Sequence, residues 1–294
     1  MIMNDFSNTV GSVTLDPKGN MPLVAIQCLT FNQVAYIRQT LEGIVSQDTK
    51  FRYVAVVHDD ASTDGTSDIV REYAEKYPEV IIPILEKQNQ YSKRDGSLGK
   101  IMRDALYRTG EKYIAFCEGD DYWTDPLKLQ KQVDVLEADQ RYGMCCTHAS
   151  MYIQSEKRLV DGVGTPKVSF LQLLDFNTVV TLTVVLRTDL LKDYISEIKP
   201  QDHGWLMGDY PLWLYIAAVS IIKYLPDNTG VYRISNGSES HTDNMDVKYR
   251  FKTSVYDIRK FFARRYTNLY YWYCFRDFLW RWKWRWKYNY RSQK

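Results

Sequence analysis

Residues 111–123 read EKYIAFCEGDDYW, and they place two adjacent carboxylates directly after a buried strand. Residues 111–116 have the apolar and aromatic character of a strand, and Asp120 and Asp121 follow where it ends. Two carboxylates this close together are costly to ionise unless a cation neutralises them. Mg²⁺ and Mn²⁺ are the obvious candidates, because these hard ions prefer oxygen ligands. The alternative is that one Asp caps the helix predicted at residues 127–132 while the other is solvated.

A second acidic strand end lies earlier in the chain. Residues 51–57, FRYVAVV, predict a strand that runs into HDDASTDGTS at residues 58–67. A third strand, residues 23–29, runs into Thr30 and Asn32, and a helix is predicted after each of these strands. Strands and helices alternating at this spacing predict right-handed crossovers and a mainly parallel sheet. Because ligands of such sheets bind outside the carboxyl ends of the strands, we expect the three polar clusters to converge at one edge.

The order and spacing of these motifs resemble glycosyltransferase family 2 of the GT-A type. The matching segments are LTFN at 29–32, LEGIVSQ at 41–47, DDASTDGT at 59–66, EGDD at 118–121 and DPLKL at 125–129. The DDASTDGT run is a specific signal, whereas a carboxylate pair alone is not. The resemblance covers residues 21–235 and implies an α/β, GT-A (Rossmann-like) fold with a mainly parallel central sheet flanked by helices. It also implies an inverting transferase that uses a nucleotide-sugar donor and a divalent metal.

The resemblance assigns donor-binding roles to the acidic residues at the strand ends. Asp60, with Asp59 beside it, would bind the nucleotide base. Asp121 would hold Mn²⁺ or Mg²⁺ on the diphosphate, and Asp120 would face the ribose or the sugar. A carboxylate can accept a hydrogen bond from the N3–H group of uracil, which cytosine lacks at neutral pH. Asp60 therefore favours a UDP-sugar, with thymidine next and guanosine less favoured.

Four further donor-site candidates carry weaker signals. Thr30 and Asn32 lie where members of the family contact the nucleotide, although Asn32 can equally start the next helix. Arg94 and Lys100 follow the strand predicted at residues 80–84. A cation there would suit a diphosphate, but surface loops are often basic without such a role.

An inverting transferase also needs a base that deprotonates the acceptor hydroxyl. The resemblance places this base well downstream, at the head of a helix and after a Gly, and the pair Gly208-Asp209 matches that position. Alternatively, Asp209 caps the helix predicted at residues 212–220, a role that is compatible with catalysis. Asp202 is the nearest competitor for the role of the base.

Three more residues complete the predicted site. Tyr122 and Trp123 would form a stacking wall for the acceptor sugar, or else they belong to the core. His241 lies at the depth where some relatives carry a metal- or phosphate-contacting residue on a closing loop. An exposed loop histidine with no ligand is the alternative at that position.

The C-terminal tail, residues 258–294, is strongly basic and aromatic. It has eleven Lys or Arg and one acid, so its net charge is +10 and that of the remaining chain is −8. In the run WRWKWRWK at 280–287, an extended backbone would put all four Trp on one face, whereas a helix would spread them over two sides. Trp with Lys and Arg suits an anionic membrane surface. Nucleic acid binding and packing of a final helix over residues 262–273 are the alternatives.

The organisation of the 294-residue chain follows from these segments. We expect an extension at residues 1–20, the GT-A domain at 21–235, and a closing loop with a membrane-association segment at 236–294. The five Cys have no metal-binding spacing, which predicts a reducing compartment without disulfides. Because the sequence has no signal-peptide pattern and no bilayer-spanning run, we expect a cytoplasmic protein peripherally associated with the inner face of the membrane.

These observations predict an enzyme that transfers a sugar from a UDP-sugar to a glycan or lipid-linked acceptor in bacterial surface-polysaccharide synthesis. The alternative is a non-catalytic nucleotide- or glycan-binding module of the same fold. A nucleic-acid-binding protein is a distant third possibility, since the acidic body of the chain would repel phosphates.

Overall fold

The computed structural model describes residues 21–234 and 244–288, which form a nine-stranded sheet with helices on both faces. The strands are β1 (Val24–Thr30), β2 (Tyr53–Asp59), β3 (Ile81–Leu85), β4 (Tyr113–Phe116), β5 (Tyr122–Trp123), β6 (Tyr142–Ile153), β7 (Arg158–Val163), β8 (Val185–Arg187) and β9 (Ile221–Ile234). The helices are α1 (Ile37–Val45), α2 (Thr66–Lys76), α3 (Ser97–Thr109), α4 (Lys128–Ala138), α5 (Phe170–Asp175), α6 (Thr188–Ile198), α7 (Asp209–Val219), α8 (Met245–Tyr266) and α9 (Tyr270–Tyr288).

The first half of the sheet is parallel, with the strand order β3-β2-β1-β4. These are the strands predicted from the sequence, and their carboxyl ends lie along one edge. β8 then runs antiparallel to both β4 and β6, while β6 and β9 are parallel to each other. The predicted α/β fold with a parallel central sheet is confirmed, and the second half of the sheet adds antiparallel pairs that the sequence does not indicate.

Both faces of the parallel strands are buried, because helices cover each face. Side chains alternate along a strand, so Val24 and Ile26 of β1 pack into one apolar cluster and Ala25 packs into the other. The first cluster is completed by residues of α1, α2 and α4, and the second by residues of α3, α6 and α7. Burial on both sides explains why these strands read as continuous apolar runs in the sequence.

The two-residue strand β5 fixes the acidic turn to the second half of the sheet. Trp123 pairs with Gly230 of β9, and its indole N–H donates to the carbonyl oxygen of Leu182 at 2.9 Å. The Lys128 ammonium group lies 4.3 Å from the centroid of the Trp123 ring. Only 3% of Trp123 is exposed, so this residue belongs to the core, which is the second of the two roles considered for it.

The C-terminal segment forms two antiparallel helices, α8 and α9, with α8 packed against α7. Arg259 of α8 donates from Nε to the Tyr210 hydroxyl of α7 at 3.1 Å. Phe262 of α8 and Tyr273 of α9 are buried, as the core-packing alternative for this region predicts. Among the helices at residues 21–234 and 244–288, none is long and apolar enough to cross a bilayer.

Gly43 of α1 lies directly against β5, and its replacement should destabilise the fold. A Cβ atom on Gly43 would lie 2.7 Å from the carbonyl oxygen of Trp123, a backbone atom that cannot rotate away. We expect Gly43→Ala to lower the free energy of unfolding by about 1–3 kcal/mol, even though Ala favours a helix interior by about 1 kcal/mol. The measurement is urea denaturation.

Gly208→Ala is the matched control, because a Cβ atom there has no neighbour within 4 Å and φ of Gly208 is −92°. Equal stabilities of the two variants would contradict the packing argument.

Candidate functional site

Side-chain hydrogen bonds fasten the carboxyl ends of β1 and β2 to each other. The backbone N–H of Asn32 donates to Ser62 Oγ at 2.8 Å, and Asn32 Oδ1 accepts from the N–H of Thr63 at 2.8 Å. Asn32 has a φ of 50°, in the left-handed region that Asn tolerates better than most residues. Since α1 begins only at Ile37, Asn32 joins two loops and does not start the helix.

Asp59 is fully buried at the end of β2, and its carboxylate accepts hydrogen bonds from the loop and helix that follow. The hydroxyl groups of Ser62 and Ser67 both donate to its carboxylate. These bonds hold the first turn of α2 close to the end of the strand. Asp59 therefore positions its neighbour Asp60, and its own carboxylate does not line the cavities described below.

Asp60 connects the end of β2 to the segment after β3 and lines a cavity of about 200 Å³. Its two carboxylate oxygens accept from the backbone N–H groups of Gln90 at 2.6 Å and Tyr91 at 3.0 Å. Thr30 and Glu118 line the same cavity. A carboxylate has about four lone-pair sites, so Asp60 can accept a further hydrogen bond from a ligand.

Glu118 lies between this cavity and a second one of about 480 Å³ that also contains Asp209. Burial, followed by the charges of Asp120 and Asp209, raises the pKa of Glu118 to about 8. The carboxyl group of Glu118 is therefore largely protonated at neutral pH in the absence of a cation. The second cavity thus brings together two acidic groups from distant parts of the chain.

Asp120 and Asp121 differ in their exposure. Asp121 is 3% exposed, and its Oδ1 accepts from the backbone N–H of Arg233 at 2.8 Å. Burial, followed by the neighbouring charge of Asp120, raises the pKa of Asp121 well above its ordinary value. Asp120 is only partly buried, and burial raises its pKa too, while the charge of Arg233 lowers it. The turn thus concentrates negative charge that a cation would stabilise.

Arg233 brings positive charge from β9 to this acidic turn. Its side chain is 7% exposed, and the guanidinium carbon lies 4.5 Å from the ring centroid of Tyr36 and 5.3 Å from that of Tyr122. Such cation–π contacts hold the guanidinium group in place. Tyr122 therefore packs one face of its ring on Arg233, and only its remaining surface is available to a ligand.

Asp209 is the first residue of α7, at the position predicted for it. Its Oδ1 accepts from the N–H of Tyr210 at 2.7 Å, and its Oδ2 accepts from the Thr181 hydroxyl at 3.1 Å. Burial raises the pKa of Asp209, and these hydrogen bonds oppose the increase. Asp202, the competitor for the same role, is exposed in a short turn before α7.

The remaining predicted residues lie farther from the acidic turn. Arg94 is exposed, has a φ of 52°, and lines a third cavity of about 620 Å³ together with Arg250 of α8. Lys100 is exposed on α3 and is absent from the walls of the three cavities. His241 lies outside the described residues.

The donor atoms of the acidic turn fit a divalent cation that is shared with a ligand. Within residues 21–234 and 244–288, no group of three or more His, Cys, Asp or Glu side chains could hold a metal ion by itself. Mg²⁺ needs no such group, because it is commonly bound by one or two carboxylates plus substrate phosphates. Asp120 and Asp121 supply carboxylates of this kind; burial raises the pKa of both, and the charge of Asp120 adds to the increase at Asp121.

The sequence is similar to known proteins. Residues 28–160 match the family model described as glycosyl transferase family 2. An uncharacterized protein of Mycobacterium tuberculosis is 41% identical over 122 residues, 42% of this chain, and the chain spans only 34% of that protein's length. The UDP-Glc:alpha-D-GlcNAc-diphosphoundecaprenol beta-1,3-glucosyltransferase WfaP of Escherichia coli is 28% identical over 227 residues, which are 75% of this chain and 80% of that protein.

A solved structure supports the fold class. The crystal structure of residues 1–349 of TarS from S. aureus, in complex with UDP-GlcNAc, superposes with a TM-score of 0.57 at 21% identity. The superposition covers 82% of this chain and 65% of that one. This similarity confirms the predicted GT-A fold.

Sequence reasoning missed two residues that the structure brings to the site. Glu118 could have been found, because residues 118 and 120 are separated by two positions at a strand end and tend to point the same way. Arg233 could not have been found from local sequence, since it approaches Asp121 only through the pairing of β5 with β9.

Glu118 should make the protein less stable as the pH rises. Its ordinary pKa is 4.5 and its pKa in the fold is about 8, so between these values the unfolded chain releases a proton that the folded chain keeps. The free energy of unfolding should therefore fall across this pH range. We expect Glu118→Gln to be roughly 1–3 kcal/mol more stable than the wild type near pH 8. Below pH 4.5 the two proteins should have similar stabilities.

Urea denaturation across the pH range checks this, with the exposed Glu75→Gln variant as the control. If the wild type is as stable as Glu118→Gln near pH 8, the folded protein does not hold the extra proton, and Glu118 is ionised in the fold.

Proposed function

We propose, from the premise that residues 28–160 belong to glycosyl transferase family 2, that this protein is an inverting glycosyltransferase. It would transfer a sugar from a UDP-sugar to a hydroxyl group of a glycan or lipid-linked acceptor. The observation that carries the proposal is the placement of Asp60, Glu118 and Asp209 in two adjoining cavities at the carboxyl edge of the parallel strands. One cavity suits the nucleotide and the other the reacting groups.

The uracil base would bind in the cavity that Asp60 lines. The Asp60 carboxylate is oriented by two backbone N–H groups and keeps lone pairs for the N3–H group of uracil. Two similar proteins support this choice, because the name of the Escherichia coli relative specifies UDP-Glc and the S. aureus structure contains UDP-GlcNAc. The hydrogen bonds from the backbone of Gln90 and Tyr91 to Asp60 would also make the segment after β3 part of the nucleotide pocket.

Asp120 and Asp121 would hold a divalent metal, Mn²⁺ or Mg²⁺, against the diphosphate. When bound, this metal supplies positive charge that stabilises the leaving group as the glycosidic bond breaks. Asp121 is held by the backbone N–H of Arg233, so its carboxylate is already oriented before a ligand arrives. Asp120, which is more exposed, is suited to contact either the metal or the ribose of the donor.

Asp209 would act as the general base. A base must lie within hydrogen-bond reach of the acceptor hydroxyl and have a pKa near the working pH. Burial raises the pKa of Asp209 in this direction, and the Thr181 hydroxyl fixes the orientation of its carboxylate. Asp209 lies in the same cavity as Glu118, and Glu118 also lines the nucleotide cavity, which would bring the base close to the bound sugar.

The proposed setting is bacterial surface-polysaccharide synthesis with a lipid-linked acceptor, at the inner face of the cell membrane. The name of the Escherichia coli relative specifies a diphosphoundecaprenol-linked acceptor, which supports this class. The alternative is a non-catalytic nucleotide- or glycan-binding module of the same fold. The two functions differ in whether the Asp209 carboxylate is needed for turnover.

Asp209→Asn should separate the enzyme from the binding module. The amide keeps the size of the side chain and its hydrogen bond to Thr181 but cannot accept a proton. We expect turnover to fall by about 100-fold or more, while the dissociation constant of the UDP-sugar stays within about twofold. Sugar transfer and calorimetric donor binding are measured on the same preparations.

The control for this experiment is Asp202→Asn, which changes the exposed competitor in the turn before α7. Full turnover of Asp209→Asn together with loss of turnover in Asp202→Asn would move the base to Asp202. No sugar transfer by the wild type with any UDP-sugar and glycan or lipid-linked acceptor would favour the binding module.

A further inference from the structure

Helix α9 is attached to the protein by one face only. On that inner face, the Trp280 ring stacks on Tyr249 of α8 with centroids 5.4 Å apart. The buried Asp277 carboxylate accepts from Lys260 of α8 at 2.8 Å and from Arg281 at 2.7 Å. These contacts account for the position of α9, so its outer face is not needed to hold the helix in place.

The outer face of α9 is a continuous aromatic stripe. Its residues follow each other at steps of four, three, four and four, which places them on one side of a helix over about 22 Å. Their exposed fractions are 82% for Tyr271, 51% for Phe275, 63% for Phe278, 57% for Trp282 and 81% for Trp286. Soluble proteins rarely expose contiguous apolar surface of this extent without a binding partner.

Cations border the aromatic stripe on both sides. At about 100° per residue, Arg285 lies on one side of the stripe and Lys283 on the other, whereas Lys287 lies farther round the helix, toward the inner face. All three are exposed, and among residues 21–234 and 244–288 no acidic side chain lies within ion-pair distance of them. The outer face therefore combines aromatic rings along its centre with unneutralised positive charge at its edges.

This arrangement matches the headgroup region of an anionic bilayer. Aromatic rings are favoured at the membrane interface, and helices that lie in the interface carry Lys and Arg beside an apolar face. Near-surface cations are attracted to anionic lipid. A second copy of the chain is a poor partner, because two positively charged helices would repel each other. A nucleic acid is also a poor partner, because it binds in basic grooves whereas the stripe forms a convex ridge.

We propose that α9 lies flat on an anionic bilayer, with the aromatic stripe in the headgroup region. This proposal deepens the proposed function, because it names the surface that would bring the enzyme to its lipid-linked acceptor. Only the identity of that acceptor rests on the proposed function. Binding to vesicles requires neither a nucleotide nor sugar transfer. The failure of one proposal can therefore be distinguished from the failure of the other.

The test is flotation of the full-length protein with vesicles of phosphatidylglycerol and phosphatidylcholine, or of phosphatidylcholine alone. The outer-face variant carries Phe278→Ser, Trp282→Ser and Trp286→Ser. The matched control carries Trp280→Phe and Trp284→Phe, which change the same residue type on the inner face. The charge variant carries Lys283→Gln, Arg285→Gln and Lys287→Gln. Melting temperatures establish that each variant is folded.

We expect the wild type and the inner-face control to bind anionic vesicles, and binding to weaken as the salt concentration rises. The outer-face variant should bind at least about tenfold more weakly. The charge variant should lose about fivefold for each cation and most of its salt dependence. The charge variant also keeps the test decisive if the outer-face variant is unstable, because its three side chains are exposed and form no ion pair within the described residues.

Three results would overturn the proposal. The first is a wild type that does not bind anionic vesicles at low salt. The second is a folded outer-face variant, or a charge variant, that binds as tightly as the wild type. The third is a wild type that binds a single-stranded oligonucleotide, or dimerises, through the same residues and does not bind vesicles. Vesicle binding by a protein that never binds UDP would support the surface and reject the proposed function.

Discussion

The structure of the candidate site depends on how a cluster of acidic side chains is held in a partly buried cleft. Glu118, Asp120 and Asp121 lie within four consecutive residues shortly after the end of β4, and burial raises the pKa of each one. Arg233, which enters from β9, offsets part of this charge and is itself held by aromatic rings. A divalent cation and a diphosphate would complete the balance, which explains why the cluster is tolerated.

The parallel strands provide the rigid frame that this cluster requires. The hydroxyl of Thr40, from α1, lies 2.9 Å from the carbonyl oxygen of Gly119 and 2.6 Å from that of Asp121, and it can donate to either. Trp123 then anchors the far end of the acidic turn in the core. Asp209 approaches from α7 and lines the same cavity as Glu118. The fold thus brings an acidic group from the second half of the chain to the end of the parallel strands.

The sequence predicted the local features of this site, and long-range packing decided the others. The four parallel strands and the polar residues at their ends follow from apolar runs and turn chemistry. The position of Asp209 at the head of a helix was implied by the family resemblance, and α7 begins at this residue. The core position of Trp123 and the approach of Arg233 depend on β9, which pairs with strands far away in the chain. In α9, the alternation at residues 280–287 has the period of a strand, and only the longer aromatic series from residue 271 reveals a helix face.

The most direct test of the account is whether the acidic turn binds uridine diphosphate through a divalent cation. The measurement is the melting temperature of the wild type and of Asp121→Asn, with UDP or GDP, in the presence of Mn²⁺ or of a chelator. A ligand that binds only the folded state raises the melting temperature. The account predicts that UDP stabilises the wild type more than GDP does, that the effect needs Mn²⁺, and that Asp121→Asn loses it. Stabilisation by UDP that is equal in the chelator, or stabilisation by GDP that matches that by UDP, would contradict the account.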